Sequence, residues 1–193
     1  VVLPEPIKLD ATYAILAKGR EGDTDYLIRL DGEENVLIEF GEMELNIELR
    51  FRAHILMNAL KEKNLPIIDM TPGIRSLQVH FRPEEITTKE MVDAIVKTNK
   101  ELGSLDDVTV PSRIIKLPLS WDDPQTQLAA ERYQKTVRPN APWCPSNPEF
   151  IRRINGLDSI EDVMKIVFEA NYLVMGLGDV YLGAPVAVPT DPR

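Results

Sequence analysis

The hydrophobic and polar positions along the chain change their period several times, and the changes mark out elements. Tyr13, Ile15 and Ala17 recur at every second position and predict a first strand over 12–18. Tyr26 to Leu30 and Val36 to Phe40 read as two strands joined through Asp31-Gly32-Glu33-Glu34-Asn35, a hairpin-like connection. The period then lengthens. Asn46 is placed to cap a helix on which Leu49, Ala53, Leu56, Met57 and Leu60 share one stripe, with an end expected near Asn64-Leu65-Pro66. Ile67 to Met70 begins another strand and Thr71-Pro72-Gly73 reads as a turn. Ser76 to Phe81 alternates again, with Leu77, Val79 and Phe81 on the core side. Thr87 or Thr88 caps a second helix whose inward residues are Met91, Ala94, Ile95 and Leu102, and Gly103 closes it. Strands followed by helices in this order predict an α+β fold: a small sandwich with the helices on one face of an antiparallel sheet.

The pattern breaks at Leu105 to Ser112, where the domain boundary is placed, giving an α+β lobe over 1–110 and a second lobe over 111–193. In the second lobe Arg113 to Leu119 predicts a strand, and Asp122 to Tyr133 a helix with Pro124 in its first turn. The prolines of Pro139 to Pro148 exclude regular structure there. Glu149 to Ile154 reads as a short helix ending at Gly156, and Ser159 caps another over Ile160 to Phe168. The strand-like Tyr172-Leu-Val-Met175 then runs into Gly176-Leu177-Gly178-Asp179 and on through Tyr181 to Gly183.

Composition narrows the chemistry. The chain has 193 residues, 44% hydrophobic and 27% charged, as in ordinary globular proteins. No apolar run reaches the length of a membrane span. The opening Val-Val-Leu-Pro-Glu-Pro is not a signal peptide, and a start without Met suggests a fragment of something longer. A formal charge of −9 disfavours nucleic acid as a partner. The single cysteine, Cys144, excludes an internal disulfide and fits a reducing cytoplasm. With His54 and His80 the only histidines, no metal site is expected.

Among polar residues, His80 reads as half-exposed on its strand, His54 as helix surface or core edge, and Cys144 as an inert thiol between Trp143 and Pro145. Arg152-Arg153 reads as a solvated helix face or as one partner of a carboxylate, and Asp122-Asp123 as a helix cap. Gly176-Leu177-Gly178 lacks the Lys-Ser/Thr of a nucleotide loop, so its plainer reading is a bend or bulge where glycine meets positive φ or close backbone approach. Asp179 keeps two readings: a surface turn residue, or an acceptor aimed at a ligand rich in N–H donors.

Beyond this point the residues resemble a family. Gly73-Ile-Arg-Ser-Leu-Gln-Val-His-Phe81 is similar to a hairpin of the allophanate hydrolase subunit 1 family, also called kinase-inhibitor-like. Tyr133-Gln-Lys-Thr-Val-Arg-Pro-Asn-Ala-Pro-Trp-Cys-Pro145, Glu149-Phe-Ile-Arg-Arg-Ile-Asn-Gly-Leu157 and Gly176-Leu-Gly-Asp-Val-Tyr-Leu-Gly-Ala-Pro185 resemble the carboxyltransferase part of biotin-dependent urea carboxylase. The resemblance implies the first half of a carboxyltransferase: an α+β lobe followed by a cyclophilin-like β-barrel lobe, incomplete here because the family continues into closing strands. It implies transfer of CO₂ from carboxybiotin to urea, or to guanidine. Biotin would be held on a biotin carboxyl carrier domain, ATP used by a separate biotin carboxylase domain, and a second, subunit 2-like barrel would complete the carboxyltransferase. The fragment alone is expected to be inactive. The implied site is Asp179, catalytic and substrate-binding, with Gly178, Tyr181 and Arg193 as substrate-binding neighbours. The alternative is a non-catalytic or regulatory subunit of the kinase-inhibitor-like or 5-oxoprolinase-subunit type.

Overall fold

A computed structural model describes residues 14–106, 108–177 and 185–190. The described chain divides into two units, one from Val1–Val110 with Val174–Val186, the other from Pro111–Leu173 with Ala187–Arg193.

The first unit is built on a five-stranded antiparallel sheet: β1 (Ile15–Glu21), β2 (Thr24–Leu30), β3 (Asn35–Phe40), β4 (Ile67–Pro72) and β5 (Ser76–Phe81), in the order β1-β2-β3-β5-β4. Alternation puts every second side chain of the three central strands on one face. The register then sets Tyr26 opposite Phe40, Ile28 opposite Ile38, Val36 opposite Val79 and Ile38 opposite Leu77. These residues are buried, most of them completely. Each such side chain contributes about 1.5–3 kcal/mol of hydrophobic free energy. Both edge strands carry an irregular register, at Ile15/Ala17 in β1 and at Ile67/Asp69 in β4. That is a common way to blunt an exposed edge.

Two helices cover this face. Helix α1 (Ile47–Lys61) starts where Asn46 Oδ1 accepts from the backbone N–H groups of Glu48 and Leu49. Its stripe of Leu49, Ala53, Leu56 and Leu60 is buried against the sheet. Helix α2 (Thr88–Leu102) starts in a capping box of Thr87 and Glu90 and ends at Gly103, and Met91, Val92 and Ile95 are its buried apolar residues. Gly41 makes the turn into α1 possible. Its φ is +57°, and a Cβ there would lie 2.8 Å from Leu49 Cδ1.

The second unit contains α3 (Pro124–Thr136), α4 (Asn147–Ile154) and α5 (Ile160–Glu169). Asp123 caps α3, Ser146 caps α4, and Ser159 caps α5 in a capping box with Asp162. Strands β6 (Tyr172–Leu177) and β7 (Pro185–Pro189) form a separate two-stranded sheet.

Several boundaries differ from the sequence reading. β1 begins at Ile15 and runs on to Glu21, α1 stops at Lys61, and β4 continues through Pro72 so that the turn starts at Gly73. α3 extends to Thr136, and α4 begins inside the proline-rich stretch because Pro148 sits in its first turn, where its missing N–H has no helical partner to lose. The larger correction is at Arg113 to Leu119, which is not a strand. Its apolar residues are outside: Ile114 is 83% exposed and Leu117 73%. Alternation states a preference, and a strand forms only beside a partner; none of the described strands pairs with this segment.

Candidate functional site

Strands β6 and β7 flank the connection 178–184, in which Gly178, Asp179 and Tyr181 of the expected site fall. Asp179, Gly178, Tyr181 and Arg193 all lie outside the described residues. What the structure gives is the frame on which the connection is strung. Thr190, just past β7, donates through its backbone N–H (2.9 Å) and its hydroxyl (3.1 Å) to the carbonyl of Asn171, just before β6. The two strands are therefore tied together at the end remote from 178–184.

Within β6 only Met175 is fully buried, while Val174 and Leu177 are 52% and 70% exposed. The Met175 carbonyl accepts a 2.7 Å hydrogen bond from Arg50 Nε on α1. Burial disfavours the Arg50 charge relative to a free arginine. Gly176 departs from the expectation of strain or crowding. Its φ is not in the left-handed region, and a Cβ there would meet no described atom within 4 Å. Among the described residues, nothing at Gly176 requires glycine.

The other singled-out residues fall into structural roles. His80 is half-exposed on β5 and its Nε2 lies 3.2 Å from Glu34 Oε2. His54 on α1 is partly buried, its Nε2 3.2 Å from Asn58 Nδ2, and its pKa is lowered by burial and by the charges of Arg50 and Lys61. Cys144 Sγ donates to the Ala130 carbonyl at 3.6 Å. Arg152 grips Glu149 with two bonds of 2.8 and 2.7 Å, which holds that carboxyl below its usual pKa, and also donates to the Leu157 carbonyl at 2.9 Å. Arg153 donates to the Pro142 carbonyl at 3.0 Å, and Arg138 lies over the Trp143 ring at 5.2 Å. The blocks that resemble urea carboxylase in the second unit thus fasten α3, α4 and the proline-rich stretch together.

Two features escaped the sequence. Glu39, on the sheet face away from the helices, sits between Arg75 (2.9 Å) and Arg29 (2.5 Å), beside a groove of about 710 Å³. Arg29 reaches Oε2 without the alignment of a hydrogen bond, so that buried oxygen has a charge contact alone. On the helix side, Arg52 is buried and donates to Asn99 Oδ1 through Nε (3.1 Å) and Nη2 (3.0 Å), with longer bonds to the Asn99 and Gly103 carbonyls. No sequence signal marks either, because both depend on strands or helices distant in the chain. Among the described residues no group of three or more His, Cys, Asp or Glu could hold a metal ion, and no helix is long and apolar enough to cross a membrane.

Comparison with known proteins supplies the class. Residues 26–193 match the family model for the carboxyltransferase domain, subdomain C and D, and the chain belongs to that family. Its relatives narrow the class further. The chain is 36% identical to the urea amidolyase of Saccharomyces cerevisiae over 93% of its own length and 10% of that protein's. It is 36% identical to the urea amidolyase of Lachancea kluyveri over 86% of this chain and 9% of that one. Crystal structures of Kluyveromyces lactis urea amidolyase and urea carboxylase superpose with TM-scores of 0.74 and 0.73, each at 32% identity over 93% of this chain, covering 11% and 16% of those chains. The chain therefore corresponds to the carboxyltransferase part of much larger proteins and spans about a tenth of the length of the curated urea amidolyases it matches.

Proposed function

We propose that this chain forms part of a carboxyltransferase that moves CO₂ from carboxybiotin to urea, giving allophanate, or to guanidine, giving carboxyguanidine. The observation that carries the reading is the similarity to urea amidolyase over 93% of the chain. The transfer depends on a second carboxyltransferase barrel, a biotin carboxyl carrier domain and an ATP-using biotin carboxylase domain, working together in the cytoplasm. Residues 1–110 are the α+β lobe and 111–193 belong to a partial cyclophilin-like barrel. The lengths of the relatives favour this over a free-standing regulatory subunit.

Urea is small, planar and neutral, with N–H donors on two sides and one carbonyl. Asp179 accepts two parallel N–H bonds, which orients the attacking nitrogen. The Gly178 N–H stabilises the oxyanion that develops on the carbonyl. Tyr181 donates its hydroxyl to the substrate carbonyl, and Arg193 faces the carboxylate of donor or product. Carboxybiotin supplies the carbon dioxide when it is bound. The chain's residues then act chiefly by positioning and by excluding water. Replacing Asp179 with Ala in the complete polypeptide tests the assignment. Urea-dependent carboxylation should fall about 100-fold or more, and an unchanged rate removes Asp179 from the site.

A further inference from the structure

The five-stranded sheet ends in β1 on one side and β4 on the other, and the two edges differ. On β4 the register breaks at Ile67/Asp69 and the strand ends at Pro72, which has no N–H to donate, so little regular edge is left. On β1 the break lies near the start, at Ile15/Ala17, and the pairing with β2 is unbroken from Ala17 to Glu21. No described strand pairs with the other side of β1. Such an edge turns backbone N–H and C=O groups outward, where a further strand can pair with them.

The side chains of β1 select what pairs there. Lys18 and Arg20 are two residues apart, hence on one face, and both are exposed. Lys18 stands opposite Leu27, and Leu27 opposite Glu39, so this is the sheet face away from the helices, where the groove of about 710 Å³ lies. The groove's charges are unevenly matched, in a chain whose net charge is −9. Glu39 engages Arg29 and Arg75 together. Arg20 has only contacts of 3.5 and 3.8 Å with exposed Asp23 and Asp25, and surface pairs of that kind hold weakly. None of the described ion pairs involves Lys18. The positive charge left over lies on β1 itself. It repels a second copy of the same edge and admits an acidic strand.

We infer that β1 is a docking edge: an extended acidic segment from elsewhere in the complete polypeptide adds to the sheet beside Ala17–Glu21, with carboxylates at alternate positions opposite Lys18 and Arg20. This chain spans about a tenth of the length of the curated urea amidolyases it matches, so a segment of the remainder arrives at the high effective concentration of a tethered ligand. The backbone supplies the pairing and the two cations supply the choice of partner. The inference does not depend on which substrate is carboxylated.

The test uses the complete polypeptide. Lys18→Glu combined with Arg20→Glu reverses the edge charge and leaves the core untouched. Backbone hydrogen exchange at 17–21 rises about tenfold or more in this variant, while β2, β3 and β5 stay protected. A photo-reactive leucine analogue at Leu16, which is 36% exposed, captures a peptide from outside residues 1–193 that carries acidic residues two apart. Replacing those acids with Lys in the reversed variant restores protection at 17–21, which a general effect on folding does not do. Unchanged exchange at 17–21 in the reversed variant overturns the inference. A rise across the whole sheet that the charge swap does not reverse overturns it too. So does a captured peptide from within residues 1–193, of the same or a second copy, or no captured peptide at all.

Discussion

The two units use similar residues and reach different degrees of burial. In the first, fifteen buried residues from three strands and two helices form one continuous cluster. In the second, α3 has no buried residue, α4 buries only Pro148 and α5 only Val163, while Met164 and Phe168 on α5 are 40% and 53% exposed. The first unit is stabilised by sheet and helix stripes that meet. The helices of the second are defined mainly by local devices: the Asp123 cap, the Ser159–Asp162 capping box, and the Arg152–Glu149 pair. Hydrophobic content does not make a core; the stripes must have something to face.

The contrast predicts unequal responses to the same substitution. Phe81→Ala, at a fully buried position, should destabilise the first unit by about 3–5 kcal/mol. Phe168→Ala, at a half-exposed one, should cost under about 1 kcal/mol. Equal losses in chemical denaturation would remove the distinction.

The next largest effect concerns the buried polar network of the first unit. Asn99→Leu takes the principal acceptor from a buried guanidinium and should cost about 3 kcal/mol or more. Pairing it with Arg52→Met should restore much of the loss, because no buried charge is then left unpartnered; additive losses would contradict the pairing. In the second unit, Ser159→Ala should cost about 1 kcal/mol and raise exchange mainly at the start of α5. An effect spread over α3 and α4 would mean that the second unit is more cooperative than its burial indicates.

The smallest effect is a pH dependence. Burial, followed by Arg50 and Lys61, lowers the native pKa of His54. The folded state then binds the imidazole proton less readily than the unfolded chain does. This contribution to stability is full above the ordinary value near 6.5 and is lost as pH falls from there through the lowered native pKa. His54→Gln should flatten that part of a stability-versus-pH curve, and an unaltered slope would exclude His54 as its source.

These contrasts also explain what was legible in the sequence. Leu77, Val79 and Phe81 announced their face because a two-residue period has meaning wherever one side of a sheet is covered. Asn46, Thr87 and Ser159 announced helix starts because capping is local. Arg113 to Leu119 carried the same period without a partner strand, so the period misled. Arg50 and Arg52 gave no signal, since their partners, Met175 in one case and Asn99 in the other, are set by tertiary folding alone. The family could be read from the blocks after Tyr133, and the family match over 26–193 bears that reading out. Asp179 was singled out by its glycine neighbours, a cue that concerns backbone freedom and not direction. Among those glycines, Gly176 proves to be unstrained.

The account turns on carboxyl transfer to a urea-like nitrogen, and isotopic labelling of the complete polypeptide measures that step directly. With labelled bicarbonate, ATP and urea or guanidine, the account predicts label first on biotin and then, depending on added substrate, on an N-carboxylated urea or guanidine. Label that accumulates on biotin and passes to neither compound would contradict it.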